Sequence, residues 1–339
     1  MKLSWKQYDL QLRHTFRTSR SASDVTNVII TEFEHEGIIG YGEASPIKRY
    51  KEDIGTVTAF LKKLHLAEFQ SPFLLEDILR YVDSIAEGNA SAKCAVDIAL
   101  HDWIGKKLNV PLYQLLGLNP KETPPSSFTI AIDSKEIIEQ KVREAEEFPI
   151  LKVKLGSEND KQIINTIRAI TDKKLYIDAN EGWKEKHLAL ERIKWLCDQN
   201  VEFVEQPMPA SQYDDLKWLH GKSDLPLIAD ESVHRLQNIP ELAEAFDGIN
   251  IKLMKCTGLR EAMRMINAAR AFNMKVMMGC MIETAVGISA AAQLAPLLDY
   301  ADLDGNVLIT NDPFDGVRNI GGELRLLNKP GIGVSAGRR

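Results

Sequence analysis

From about Ser126 the sequence settles into short apolar runs alternating with longer amphipathic stretches, and this alternation restricts the fold more than any other feature. Candidate strands fall at 128–131, 151–155, 175–178, 203–205, 227–230, 249–253, 276–278 and 301–304. Eight strands with helical stretches between successive pairs predict a parallel sheet, and favour a closed barrel over an open doubly wound sheet, which stays as the alternative. A (β/α)8 barrel takes about 250 residues, so a chain of 339 has room for a smaller companion. The first part supplies one. Val28 to Phe33 and Ile38 to Glu43 read as a hairpin about Glu-His-Glu-Gly, and helical patterns run over about 52–64, 74–85 and 92–108. The tail from about Asp312, rich in Gly and Asn, is expected to return to this first unit.

Composition narrows the function. A net charge of −6 gives no basic footprint for nucleic acid or a membrane surface. The apolar stretch 285–298 is interrupted by Gln293 and Pro296 and falls short of the ~20 residues of a bilayer span. The opening residues lack an apolar signal core, and Cys94, Cys197, Cys256 and Cys280 form no Cys-x-x-Cys pair. A cytoplasmic protein with reduced thiols is therefore expected. No Gly-x-Gly-x-x-Gly or Walker-type loop follows any strand, so a nucleotide cofactor has no support. A small-molecule partner fits best.

Three consecutive strands end on a carboxylate: Asp178, Glu205 and Asp230. A single Asp at such a junction reads best as a helix cap. Three that converge on one barrel rim repel each other unless a hard cation neutralises them, and Mg2+ suits carboxylate oxygens plus water and substrate. Lys152 and Lys154 flank Val153 in an apolar strand, so a period of two puts both ammonium groups on one face. Alone they would read as edge protection. Beside the acids, each is expected to depress the other's pKa and make a usable base. Lys252 sits in another apolar strand, and Lys255, just past it, reads as solvated or packed on a helix. Two lysines on opposite sides of one metal suit removal and return of a proton α to a carboxylate.

Lys152-Val153-Lys154, Asp178-Ala179-Asn180-Glu181-Gly182-Trp183, Val204-Glu205-Gln206-Pro207, Ala229-Asp230-Glu231-Ser232 and Asn250-Ile251-Lys252 together resemble the enolase superfamily, in its muconate-lactonizing-enzyme subgroup. Ala95-Val96-Asp97-Ile98-Ala99-Leu100-His101-Asp102 looks like that family's helix leading into the barrel. The resemblance implies an α/β fold: a (β/α)7β TIM-like barrel over 125–311, an α+β capping domain over 1–124, and a C-terminal segment, 312–339, returning to the cap. It implies Lys154 and Lys252 as the acid/base pair, Lys152 as orienter of the substrate carboxylate, and Asp178, Glu205 and Asp230 as Mg2+ ligands.

Within the subgroup, an Asp-x-Asp on the eighth strand marks the members that epimerise dipeptides, and Asp302 and Asp304 match it. Two such carboxylates can grip an ammonium group. Before Gly305 they could also form a turn pair. The loop Phe16 to Ser21 offers Arg20 for an acidic side chain, which suits the peptidoglycan-derived L-Ala-D/L-Glu, although surface-loop arginines are commonly just solvated. Lys48 and Arg49 on a second loop would add to a positive field. The implied activity is inversion of Cα of a dipeptide's C-terminal residue. Alternatives are an epimerase of hydrophobic, cationic or D-Ala-D-Ala-type dipeptides, and an N-acylamino acid racemase, o-succinylbenzoate synthase or cycloisomerase. A non-catalytic barrel is weighed down by its intact lysines. A homo-oligomer is compatible with the sequence.

Overall fold

The structure is a computed structural model that describes residues 1–17 and 22–337. It opens with a three-stranded antiparallel sheet, β1 (Lys2–Arg17), β2 (Ala22–His35) and β3 (Ile38–Ala44), in the order β1-β2-β3. Glu36 and Gly37 both take positive φ, the geometry of a two-residue hairpin turn that follows strand twist. β1 is longer than anything the sequence pattern predicts there. Its burial alternates with period two except for one slip at Lys6 and Gln7, until the far end, His14–Phe16, where Phe16 lines the active-site region.

Three helices pack on the sheet: α1 (Ile54–Leu61), α2 (Leu75–Ser84) and α3 (Ala90–Leu108). Each is shorter or differently bounded than its apolar pattern. α1 starts where Asp53 and Thr56 exchange hydrogen bonds in a capping box, and α3 ends where Asn109 turns left-handed before Pro111. Ile29 and Phe33 of the sheet join Phe60, Ile78 and Trp103 of the helices in one apolar cluster. α3 lies so close to β3 that a Cβ at Gly42 would stand 1.9 Å from the Ala95 carbonyl oxygen. Only glycine permits that approach.

The second sheet has eight parallel strands: β4 (Phe128–Ile130), β5 (Ile150–Lys154), β6 (Lys174–Asp178), β7 (Val201–Glu205), β8 (Leu227–Ala229), β9 (Gly248–Ile251), β10 (Lys275–Gly279) and β11 (Tyr300–Asp302). They are hydrogen-bonded in sequence order, and a bridge between Ser126 and Ala301 brings the two outer strands together. The architecture is a TIM-like barrel with an α+β cap. Ile150, Tyr176, Phe203, Ile228, Met277 and Tyr300 fill the barrel's lower end as a plug. Two residues further along, the same face presents Lys152, Asp178, Glu205, Asp230 and Asp302, with Gly279 in β10 as the exception, because the period of two keeps the same face inward.

α3 also joins the two sheets. Asp97 accepts from the backbone N–H of Leu259 and Arg260, where the barrel helix Leu259–Ala271 begins. Asp102 accepts from Tyr41 N–H of the cap and Ile332 N–H of the tail. Phe314 of the tail packs edge-on against Tyr8 and Tyr41. Around this seam Asp83 and Glu76 of α2 pair with Arg235, Arg260 and Arg264 of the barrel. No helix among the described residues is long and apolar enough to cross a membrane.

Candidate active site

Between cap and barrel lies a cavity of about 680 Å³, a size suited to a small molecule. Its floor is the C-terminal rim of the barrel: Lys152, Lys154, Asp230, Lys252, Asp302 and Asp304 all line it. Leu12, Phe16, Val25, Ile47 and Lys48 from the cap form its roof and sides.

Asp178 and Glu205 end β6 and β7, and Asp230 follows β8 directly. One oxygen from each lies within 4.8 Å of the other two, and all three residues are buried. Three buried carboxylates and no soft donor form a hard oxygen set that fits Mg2+. Among the described residues Glu205 Oε2 accepts no hydrogen bond, and the Lys152 ammonium stands 2.8 Å from it. The backbone beyond the strand ends is bent to hold this set: Asn180, Glu181 and Gln206 all have positive φ.

The lysines flank the acids, with β5 on one side of β6-β7-β8 and β9 on the other. Lys152 Nζ stands 2.7 Å from Asp302, 2.8 Å from Glu205 and 3.2 Å from Asp178. Lys154 Nζ is 2.6 Å from Asp178, and Lys252 Nζ 2.8 Å from Asp230. Burial works against the charge of Lys152, but its carboxylate neighbours outweigh burial and hold its pKa well above the ordinary lysine value. That differs from the expected mutual depression of two ammonium groups, since Asp302, Glu205 and Asp178 surround Lys152 and favour its charge. Glu205 is pushed up to about 8 by burial and by Asp178, whereas Lys154 and Lys152 overcome burial to bring Asp178 down to about 2.

Three placements depart from the sequence reading. β9 ends at Ile251, so Lys252 caps a short helical turn, Leu253–Cys256, instead of lying in the strand. That turn swings Lys255 inward. It is buried, with Nζ 2.5 Å from both Asp230 Oδ1 and the Asp230 carbonyl oxygen, so it is neither solvated nor merely packed on a helix. β11 stops at Asp302, yet Asp304 still reaches the cavity. Asp302 accepts from Ser127 Oγ and Asp304 from Thr129 N–H, so Ser127, just before β4, and Thr129 within it fix the pair. Arg49 adds no free charge, because its guanidinium forks onto Glu181 at 2.8 and 2.9 Å. Arg20 lies outside the described residues.

Two further side chains organise the rim, and the sequence motifs contained them without revealing their task. Gln206 Oε1 accepts from Asp230 N–H and Ser232 N–H, locking the end of β7 to the end of β8. Asn250, two residues before Lys252 in an apolar strand, donates to Glu205 Oε1 at 2.7 Å.

Glu43, at the end of the cap sheet, caps the helix Ala285–Ala292 by accepting from Thr284 N–H, Thr284 Oγ1 and Gly287 N–H. Glu283 is buried beside it. Burial, joined by Glu43, raises Glu283 to about 8, and burial raises Glu43 to about 7. Between about 4.5 and 8 the folded chain therefore binds more protons here than the unfolded chain. The stability from these protons is complete below the lower value and is lost as pH rises through the upper one. Glu283→Gln should accordingly leave Tm nearly unchanged at pH 5 and raise it by on the order of 5 °C at pH 9, as read by thermal melts.

The chain matches the family of the mandelate racemase/muconate lactonizing enzyme N-terminal domain over residues 6–117 and the enolase C-terminal domain-like family over 136–338. It is 50% identical over 335 residues to an L-Ala-D/L-Glu epimerase of Bacteroides thetaiotaomicron, covering 98% of this chain and 88% of that protein. It is 41% identical to an L-Ala-D/L-amino acid epimerase of Pedosphaera parvula, over 97% of both chains. Among solved structures, the substrate-liganded L-Ala-D/L-Glu epimerase of Bacillus subtilis superposes with a TM-score of 0.91 at 28% identity, over 99% and 98% of the two chains. The dipeptide epimerase of Enterococcus faecalis, complexed with Mg and L-Leu-L-Tyr, gives 0.92 at 33% identity over 98% of both. With its two halves matched in order and its barrel rim built as described, the chain belongs to the mandelate racemase/muconate lactonizing enzyme family of the enolase superfamily.

Proposed function

We propose that this chain is a magnesium-dependent dipeptide epimerase that inverts Cα of the C-terminal residue, with L-Ala-D/L-Glu as its substrate. The observation that carries the reading is the placement of Lys154 and Lys252 on opposite sides of a buried triad of carboxylates. One lysine removes the α-proton from one face, and the other delivers a proton to the opposite face. Mg2+ held by Asp178, Glu205 and Asp230 would stabilise the negative charge that develops on the substrate carboxylate. Lys152 orients that carboxylate, and Asp302 and Asp304 receive the substrate's ammonium group. Arg20 stays in the proposal on sequence grounds as a partner for an acidic side chain. The relatives named as epimerases support both reaction and substrate.

For the division of the chain we propose a cap over 1–124, a barrel over 125–311 and a returning segment over 312–339. Four free cysteines support a reducing, cytoplasmic setting.

The test is chiral chromatography of reactions with L-Ala-L-Glu, N-acetyl-L-Ala-L-Glu and N-succinyl-L-glutamate in the presence of Mg2+. Epimerisation confined to the free dipeptide supports the reading. Turnover of the acylated compounds in preference to the free dipeptide would assign the chain to N-acylamino acid racemases instead.

A further inference from the structure

Five cationic side chains among the described residues line the cavity: Lys48, Arg49, Lys152, Lys154 and Lys252. Four are committed to carboxylates of the chain itself, the three barrel lysines to the acid cluster and Arg49 to Glu181. Lys48 has no carboxylate within ion-pairing distance among the described residues, and its side chain is exposed at the cavity. Its backbone is nevertheless fixed. Lys48–Tyr50 is a single helical turn closed by left-handed Lys51, whose N–H donates to the Lys48 carbonyl at 2.9 Å. On the same turn, Arg49 grips Glu181, and the Tyr50 ring packs edge-on against His234 at 5.2 Å. Both contacts tie the turn to the barrel, so Lys48 is held over the cavity with its charge uncompensated among the described residues.

The surrounding wall is mainly apolar, with Phe16, Val25, Ile47 and Ile54. The two acids in this part of the lining are taken up inside the cap, Glu52 by Ser91 and Asp53 by Thr56. An apolar wall with one uncommitted ammonium suits a side chain of methylenes ending in a carboxylate. We propose that Lys48 is a specificity-determining residue that pairs with the side-chain carboxylate of the dipeptide's C-terminal residue. This inference rests on the epimerase reading and adds to its acidic preference, beside Arg20, a residue of the second cap loop.

Steady-state kinetics of the full chain, Lys48→Met and Lys48→Glu with Mg2+ test it on L-Ala-L-Glu, its neutral isostere L-Ala-L-Gln, and L-Ala-L-Lys. The native chain should prefer Glu over Gln. In Lys48→Met that preference should fall by about 10- to 100-fold, the range of a lost hydrogen bond to a charged group, with KM rather than kcat carrying the loss. Lys48→Glu should shift the preference toward L-Ala-L-Lys. An unchanged Glu-to-Gln ratio in both variants, with thermal melts showing them folded, would overturn the assignment while leaving the epimerase reading intact. Failure of the native chain on every dipeptide would remove both.

Discussion

Lys252→Ala is expected to lower the epimerisation rate by at least about 10³-fold, the scale of a lost general acid/base group, and Lys154→Ala to do the same. The more telling expectation concerns the half-reactions. Because the two ammonium groups stand on opposite sides of the acid triad, each variant keeps a base for one face of the substrate. In deuterated water, Lys252→Ala should still exchange the α-proton of one diastereomer, and Lys154→Ala that of the other. Proton NMR of L-Ala-L-Glu and L-Ala-D-Glu with each variant reads this directly. Loss of exchange from both diastereomers in both variants would contradict a two-base mechanism.

The second large effect separates activity from stability. Asp230→Asn and Glu205→Gln should each cost at least about 10³-fold in activity, since each removes a carboxylate from the proposed metal set. Their effects on the metal-free protein should differ. Asp230 compensates both Lys252 and Lys255, at 2.8 and 2.5 Å, and all three are buried. Its neutralisation leaves two buried ammonium groups without their main partner, which costs about 3–5 kcal/mol for a broken buried pair. Glu205 is held up to about 8 by burial and by Asp178, so its ionised form is already disfavoured. Glu205→Gln should thus cost little or nothing. Urea unfolding of both variants with chelator present checks the contrast, and equal destabilisation would show that the charges are compensated differently.

The strands of the barrel were legible because each buries a continuous apolar run, and the lysines and acids stood out as charges that such runs do not tolerate without a reason. Their positions relative to one another follow from strand order and a period of two. What the sequence could not show depends on where regular structure stops. Extending β9 to Leu253 sends Lys255 away from the site, whereas the helical turn that begins at Leu253 returns it, one turn on, to the side of Lys252. Glu43 and Glu283 meet although 240 residues separate them, and nothing local to either predicts the contact. The loop cations were readable as charges, but only the fold shows that Glu181 neutralises Arg49 and that Lys48 has no carboxylate partner among the described residues. Gln206 and Asn250 escaped assignment for a similar reason: a neutral amide carries no charge to mark it, yet each fixes an acid in place.

Proton transfer at Cα of a dipeptide can be followed by proton NMR of L-Ala-L-Glu with the native chain and Mg2+ in deuterated water. The glutamyl α-proton signal should disappear as the L-Ala-D-Glu diastereomer emerges already deuterated at Cα, and neither change should occur when chelator replaces Mg2+. Retention of the α-proton under these conditions, across L-Ala-L-Glu and dipeptides ending in Gln, Phe or Lys, would contradict it.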